Sequence, residues 1–188
     1  MSKISITPNP SGSGVFTISS PATNTNRTLT LPDEAGTVLT SASSITQNAG
    51  PAFFAYPDGT TQSVSSTTFY KVLLVNEEFD TAGNFASSRF TPTVAGYYQI
   101  NGNISFPNIA GGDCLISVFK NGVRFRDGSG SPLTSTLGGF AQVSCILYFN
   151  GSTDYVELYA YQTSGSSRNL NVGSDARTYL NGALVRAA

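Results

Sequence analysis

The chain has 188 residues, of which 11% are charged, and ten basic against eleven acidic side chains leave a formal net charge of −1. That length fits one domain of about 130 to 150 residues plus an arm. The sequence has no basic run that would neutralise phosphates, no apolar run near the roughly 18 residues of a membrane span, and no apolar segment of a secretory signal near Met1. We expect neither a nucleic-acid partner nor membrane insertion.

Residues 1–48 contain few long apolar side chains and are predicted to form an extended arm. Two short β-prone pieces, Val15 to Ile18 and Leu29 to Leu31, are separated by a turn-rich segment. Strands this short are not stable alone, so they must pair with the main domain, with the same segment of another chain, or with a different protein. The apolar side chains expected to attach the arm are Phe16, Ile18, Leu29, Leu31, Val38 and Leu39.

The predicted domain, residues 49–188, opens with a strand at PAFFAY. Val72 to Val75 then form a nearly continuous apolar run, which predicts a strand buried on both faces. In the central strand every second residue from Tyr98 to Phe106 belongs to one set, and this period of two predicts one buried and one wetter face. The predicted core residues of this strand are Tyr98, Ile100, Ile104 and Phe106.

The second half of the domain predicts two hairpins. Asn121-Gly122 lies between two β-prone runs, and Asn150-Gly151 lies between two strands of alternating pattern. Asp127 to Gly139 and Thr163 to Asp175 are polar and glycine-rich and are predicted to be surface loops. The last strand is predicted within Arg177 to Val185. Since no helical pattern of ten residues occurs, about seven to nine short strands indicate an all-β antiparallel sandwich or jelly roll.

Four local patterns resemble the globular domain of complement C1q and the tumour-necrosis-factor superfamily. The central match is F-x-P-x-x-x-G-x-Y, on Phe90, Pro92, Gly96 and Tyr98. The opening PAFFAY, the strand spacing and the closing TYLNGALV are also similar, so the resemblance covers Pro51 to Val185. That family forms compact trimers, and the resemblance implies a homotrimeric C1q/TNF-like jelly roll. The collagen-like stalk is missing, so the arm would have to register the trimer.

The arm resembles a different group. Its T-L-T-L-P-x-x-x-G-T motif, from Thr28 to Thr37, is similar to a segment of bacteriophage tail-fibre and related virion proteins. A disordered low-complexity linker is the alternative interpretation of the same residues. The resemblance implies a phage virion surface protein whose arm attaches it to other virion proteins.

The sequence offers little chemistry for catalysis. It contains no histidine, which excludes a Ser/His/Asp triad and a histidine-bearing zinc site. The acidic cluster Glu77, Glu78 and Asp80 puts adjacent carboxylates on opposite faces of an extended chain and is more typical of a solvated turn. We expect no enzyme, no catalytic residue and no cofactor. The alternative is a bound calcium ion near the loops or on a trimer axis. Its candidate ligands are Asp113, Asp127, Asp154 and Asp175.

Tyrosines are the candidate interface residues, because they combine a large apolar ring with a polar tip. The predicted trimer interface comprises Tyr97, Tyr155, Tyr159 and Tyr161. An external glycan or receptor site is the alternative use of the same side chains. Cys114 and Cys145 are predicted to be free thiols, with a disulfide left open.

The function expected from these features is that of a homotrimeric capsid decoration, or cement, protein, whose arm laces neighbouring subunits of the major capsid protein. One alternative is a short tail-fibre or receptor-binding tip, which would join a fibre shaft and recognise a host surface glycan or protein. An alternative from another class is a cellular C1q-like or lectin-type binding module. The expected location is the virion surface, after assembly in the host cytoplasm.

Overall fold

The computed structural model describes residues 10–15, 17, 19, 22–26, 28, 50–107, 111–134, 138–173 and 177–188. The chain divides into two units, Met1–Ser44 and Ile45–Ala188. In the first unit the described residues, Val15 among them, are exposed and belong to no strand. The predicted attachment residues Phe16, Ile18, Leu29, Leu31, Val38 and Leu39 lie outside the described residues.

The described part of the second unit is made of β-strands joined by turns and loops. No helix among the described residues is long and apolar enough to cross a membrane. The thirteen strands are β1 Ala52–Tyr56, β2 Ser63–Val64, β3 Tyr70–Lys71, β4 Asn76–Asp80, β5 Phe85–Ala86, β6 Arg89–Phe90, β7 Gly96–Phe106, β8 Asp113–Lys120, β9 Val123–Pro132, β10 Gly139–Phe149, β11 Val156–Gln162, β12 Arg168–Asn169 and β13 Tyr179–Ala187.

Two antiparallel sheets pack face to face as a sandwich. The five-stranded sheet has the order β10-β7-β13-β1-β4, and the six-stranded sheet has the order β5-β6-β11-β8-β9 with β3 also paired to β11. Strands β2 and β12 form a small third sheet. The predicted all-β jelly-roll sandwich is confirmed.

The core lies between the two sheets and is organised around β7, an inner strand of the five-stranded sheet. Tyr98, Ile100, Ile104 and Phe106 all have 0% exposure. The Tyr98 hydroxyl donates a hydrogen bond to the Val94 carbonyl oxygen at 2.8 Å, and burial raises the pKa of Tyr98 to about 12. Complete burial of each large apolar side chain contributes about 1.5–3 kcal/mol, so this strand is a major source of the stability of the domain.

The first predicted hairpin is confirmed and the second is wrong. Asn121 and Gly122 have positive φ angles of 52° and 76°, as a tight turn between antiparallel strands requires, and they join β8 to β9. After Asn150 the chain instead leaves one sheet and enters the other, because β10 pairs with β7 and β11 pairs with β8.

The turn at Asn150 is built from local hydrogen bonds. The Asn150 Oδ1 atom accepts the backbone N–H groups of Ser152 and Thr153 at 3.0 and 2.9 Å. Gly151 has a φ of +71°, and a Cβ there would come within 2.4 Å of the Ala95 nitrogen. The Asn-Gly signal therefore marked a turn correctly, but its strands find partners in different sheets.

Three further expectations are corrected by the structure. The run from Val72 to Val75 lies between β3 and β4 and is not a strand. It is also buried on one side only, since Leu73 and Val75 are 51% and 56% exposed. Residues Asp127 to Pro132 of the predicted glycine-rich loop continue β9, paired with β8. Likewise β12 lies within the predicted loop Thr163 to Asp175 and pairs with β2. Strand β9 shows no alternation because most of its residues are exposed, which left its sequence without a burial pattern.

Candidate functional site

The outer face of the five-stranded sheet carries a concentration of exposed aromatic side chains. Tyr98 and Ile100 of β7 point into the core, so Tyr97 and its alternating neighbours point outward. Among the described residues, five of the eleven exposed large hydrophobic side chains lie on this face. We call it the aromatic face, and define it by Phe54, Phe79, Tyr97, Phe140, Ile146 and Tyr148.

Cross-strand pairs organise the aromatic face. Tyr97 lies opposite Tyr148 in the sheet register, and their ring centroids are 5.5 Å apart in an edge-to-face arrangement. At the other side, Phe54 contacts Phe79 with centroids 6.5 Å apart. Tyr97, Ile146 and Tyr148 nevertheless remain 49%, 56% and 42% exposed. An apolar surface of this kind, left uncovered, is typical of a protein interface.

Neutral amides and a hydroxyl fill the centre of the aromatic face. The Asn101 side chain accepts hydrogen bonds from Ser144 Oγ and Gln99 Nε2, both at 3.0 Å. It also donates to Asn181 Oδ1 at 3.1 Å. The network ties β10, β7 and β13 together without a charged residue. A partner covering this face would therefore not have to desolvate a charge there.

The outer face of the six-stranded sheet is organised around one buried carboxylate. Glu157 of β11 is 2% exposed, and its Oε1 atom lies 3.0 Å from Lys71 Nζ and 2.9 Å from Arg89 Nη2. Burial raises the pKa of Glu157, but the hydrogen bonds and charges of Lys71 and Arg89 outweigh it and hold the pKa below its usual range. We call this surface the ion-pair face.

Aromatic rings on the ion-pair face are covered by groups of the same chain. The Arg89 guanidinium lies 3.7 Å above the centroid of the Tyr155 ring. Tyr159 stacks on Phe119 with centroids 3.8 Å apart, and Tyr161 packs against Phe69 at 4.8 Å. These tyrosines are half-buried. Each of these three tyrosines is less exposed than Tyr97 and Tyr148 on the aromatic face.

The four tyrosines of the predicted trimer interface are therefore not brought together. Tyr97 belongs to the aromatic face, whereas Tyr155, Tyr159 and Tyr161 belong to the ion-pair face on the opposite side of the sandwich. Sequence reasoning missed Ile146, Tyr148, Phe140 and Phe79. A signal was present for two of them, since Ile146 and Tyr148 are large apolar residues on the strand positions that alternate with the core set.

Two of the aspartates considered for calcium are paired with side chains of the same chain. Asp127 is held by Arg124 and Ser117, and Asp154 forms an ion pair with Lys120 at 2.9 Å. Asp175 lies outside the described residues, in which no group of three or more His, Cys, Asp or Glu side chains could hold a metal ion. Two buried oxygens of the described part, Asn103 Oδ1 and Ser105 Oγ, have no hydrogen-bond partner. Both are neutral oxygens.

The structure also shows the surroundings of the acidic cluster and of the two cysteines. Glu77 and Glu78 lie on β4 rather than in a turn, and Asp80 accepts the backbone N–H groups of Phe85 and Ala82 at 2.7 and 3.2 Å. Cys114 is buried, Cys145 is half-buried, and both are free thiols. Burial raises the pKa of Cys145, which disfavours the reactive thiolate.

Comparisons with known proteins identify the fold. The globular domain of zebrafish complement 1qA matches with a TM-score of 0.52 and 15% identity, over 74% of this chain and 99% of that one. Murine APRIL matches with a TM-score of 0.53 and 9% identity, over 72% and 99%. The Eiger TNF of S. frugiperda matches with a TM-score of 0.52 and 10% identity, over 74% and 95%.

No protein-family model matches the sequence, and no curated protein matches it either. Identities of 9–15% are evidence about fold alone. The chain therefore contains a jelly-roll fold similar to that of the C1q and TNF domains.

Proposed function

We propose that this protein is a non-enzymatic assembly protein whose jelly-roll domain forms a homotrimer through the aromatic face. The main observation behind the proposal is that the large side chains on the two outer faces of the sandwich differ in exposure. Tyr97, Ile146 and Tyr148 are about half exposed on one outer face, while the rings of the other face have partners within the chain. Contact between copies would remove this apolar surface from water.

The low charge of the chain also favours self-association. Only 11% of its residues are charged, against roughly 25% in an average soluble protein. A surface this poor in charge has less electrostatic protection against association. The implied trimer of the C1q and TNF resemblance agrees with this expectation.

Sedimentation equilibrium of the full chain tests the trimer. We expect a species of three times 19.7 kDa. Tyr148→Asp, which introduces a charge at the aromatic face, should yield a folded monomer, because burying an unpaired carboxylate in an interface is costly. The matched control is Val123→Asp, at an exposed position in the β8–β9 hairpin. A wild-type monomer at micromolar concentration contradicts the proposal.

We propose further that the trimer is a bacteriophage virion surface protein, a capsid decoration protein attached by its arm. Two features support this finer function: the T-L-T-L-P-x-x-x-G-T motif from Thr28 to Thr37, and an arm with too few apolar residues for a core of its own. The proposed attachment residues are Phe16, Ile18, Leu29, Leu31, Val38 and Leu39. The proposed partners are the major capsid protein and other copies of this chain.

Loss of the protein from particles separates a head role from a tail role. A decoration protein bridges capsid subunits, so particles without it should assemble but burst under heat or osmotic shock, with normal adsorption to cells. Deletion of residues 1–45 should abolish incorporation while leaving the melting temperature of the trimer within a few degrees. Sturdy particles that fail to adsorb would instead assign the chain to a tail-fibre tip.

A further inference from the structure

Two buried side chains of β7 each have an oxygen atom that forms no hydrogen bond with the described residues. Asn103 is 6% exposed and Ser105 is 1% exposed, and the two atoms are Asn103 Oδ1 and Ser105 Oγ. Buried polar atoms in proteins are nearly always satisfied, either by other protein groups or by ordered water. The pair therefore indicates a bound partner that the protein groups around it do not supply.

The two side chains lie where β7 loses its neighbour β13. The register between these strands begins at Tyr179, opposite Asn103. Beyond this point Thr178 Oγ1 accepts the Ser105 N–H at 3.3 Å, and the Ser105 carbonyl oxygen accepts the Asn171 N–H at 2.7 Å. A side chain and a loop thus replace the missing strand for the backbone of Ser105, but not for its hydroxyl group.

The orientation of the Asn103 amide is fixed by its own donor group. Asn103 Nδ2 donates a hydrogen bond to the Arg177 carbonyl oxygen. Turning the amide over would place Oδ1 against that carbonyl oxygen, and both atoms are acceptors only. Oδ1 therefore cannot gain a donor by exchanging places with Nδ2.

The chemistry of the two oxygens matches a water molecule. Asn103 and Ser105 are two residues apart on an extended strand, so their side chains lie on one side of the sheet, about 6.6 Å apart along the strand. Two hydrogen bonds of about 2.8 Å each nearly cover this spacing. Water donates to the amide oxygen and accepts the hydroxyl proton, whereas a cation would leave that proton without an acceptor.

We propose that a buried water molecule bridges Asn103 Oδ1 and Ser105 Oγ and is a structural part of the junction between β7 and the chain that leads into β13. This inference does not depend on the homotrimer proposed above. It explains why β7 has an amide and a hydroxyl at two buried positions of its outer face: these groups hold the water where the neighbouring strand ends.

Ser105→Ala tests the site through the direction of its effect on stability. Removing a buried hydroxyl that has no partner would leave the stability unchanged or raise it, because its desolvation is no longer unfavourable. Removing a hydroxyl that holds a water loses a hydrogen bond, so we expect the unfolding equilibrium constant to rise about fivefold. Urea denaturation of the full-length chain, at one fixed protein concentration, measures this change.

The matched control is Ser63→Ala, the same substitution at an exposed position of β2. It should change the unfolding equilibrium constant by less than about twofold. An unfolding equilibrium constant of Ser105→Ala equal to or below that of the wild type overturns the water site.

A crystal structure of the full-length protein identifies the bound molecule directly. We expect one ordered water within about 3.2 Å of both Asn103 Oδ1 and Ser105 Oγ. A metal ion at about 2.3–2.6 Å from both oxygens overturns the assignment to water. Direct hydrogen bonds from protein groups to both oxygens overturn the site itself.

Discussion

The two outer faces of the sandwich differ in the contacts that their side chains make within the chain. On the ion-pair face, Glu157 joins Lys71 and Arg89, and Arg89 covers Tyr155. On the aromatic face, Tyr97 and Tyr148 touch each other and remain about half exposed. Both faces carry tyrosines on β-strands, so residue type alone does not distinguish them. What distinguishes them is how much of each ring the same chain covers.

This contrast separates monomer stability from assembly. Interactions closed within one chain stabilise the folded chain at any concentration, whereas surface covered by another chain contributes only when copies associate. Substitutions on the ion-pair face should therefore change the free energy of unfolding of the monomer. Substitutions on the aromatic face should change the association constant instead.

The largest loss of stability should come from the core that both faces share. Phe106 is fully buried, and Phe106→Ala should lower the free energy of unfolding by about 3–5 kcal/mol through lost burial and a cavity. Urea denaturation followed by circular dichroism measures this loss. Because both sheets rest on this core, assembly should fail as well. An unchanged denaturation midpoint would mean that β7 does not have this buried side.

Glu157→Gln should be the most damaging substitution on either outer face. It leaves the Lys71 and Arg89 cations without their carboxylate. Breaking a fully buried pair costs about 3–5 kcal/mol, and because the two cations are 28% and 40% exposed, we expect about 2–3 kcal/mol. Urea denaturation again gives the value. Glu78→Gln, an exposed glutamate of β4, is the control and should change little.

Acid should destabilise the ion-pair face selectively. The Glu157 carboxyl has a lowered pKa in the folded chain, so its stabilising contribution is present above its ordinary pKa near 4.5 and is lost as the pH falls through the folded value. Denaturation curves of the wild type and of Glu157→Gln should converge as the pH decreases below about 4. Asp127 and Asp154 also have lowered pKa values, so both proteins keep some acid sensitivity. A constant difference between the two proteins at all pH values contradicts this account.

Tyr155→Leu should have a smaller effect. Leucine keeps much of the apolar contact but removes the ring beneath the Arg89 guanidinium, which is worth about 0.5–1 kcal/mol at a partly exposed site. Tyr155→Phe keeps the ring and is the matched control, expected to match the wild type. Equal losses in both variants would assign the effect to the hydroxyl group instead.

Tyr97→Ser should have the smallest effect on the monomer, although it removes a whole aromatic ring. Surface substitutions away from structural contacts usually stay within about 0.5 kcal/mol, and Tyr97 is 49% exposed. Denaturation at a concentration low enough for the monomer should show this small change. At high concentration the same variant should sediment as a weaker trimer. If the free energy of unfolding of the monomer fell by more than about 2 kcal/mol, Tyr97 would stabilise the monomer, as the residues of the ion-pair face do.

Predictions from the sequence are most accurate where the structure of a segment depends mainly on neighbouring residues. Strand β7 alternates between Tyr98 and Ile100 inside and Gln99 and Asn101 outside, and its burial follows that alternation as far as Asn101. Beyond it the prediction of a wetter face is wrong, because Asn103 and Ser105 are buried as well. The hairpin predicted at Asn121-Gly122 is confirmed because the strands on both sides of the turn pair with each other in one sheet. The same dipeptide signal failed at Asn150-Gly151, since the strands on either side belong to different sheets.

The sequence by itself determined the all-β class, the central strand and its core residues, and the positions of the turns at Asn121-Gly122 and Asn150-Gly151, because alternation and turn chemistry are properties of neighbouring residues. The tertiary structure alone decided which sheet each strand joins and which outer face each tyrosine occupies. Tyr97 and Tyr155 look equivalent in sequence. They differ because Arg89, 66 positions before Tyr155 in the chain, covers one ring, and no group of the described residues covers the other to the same extent.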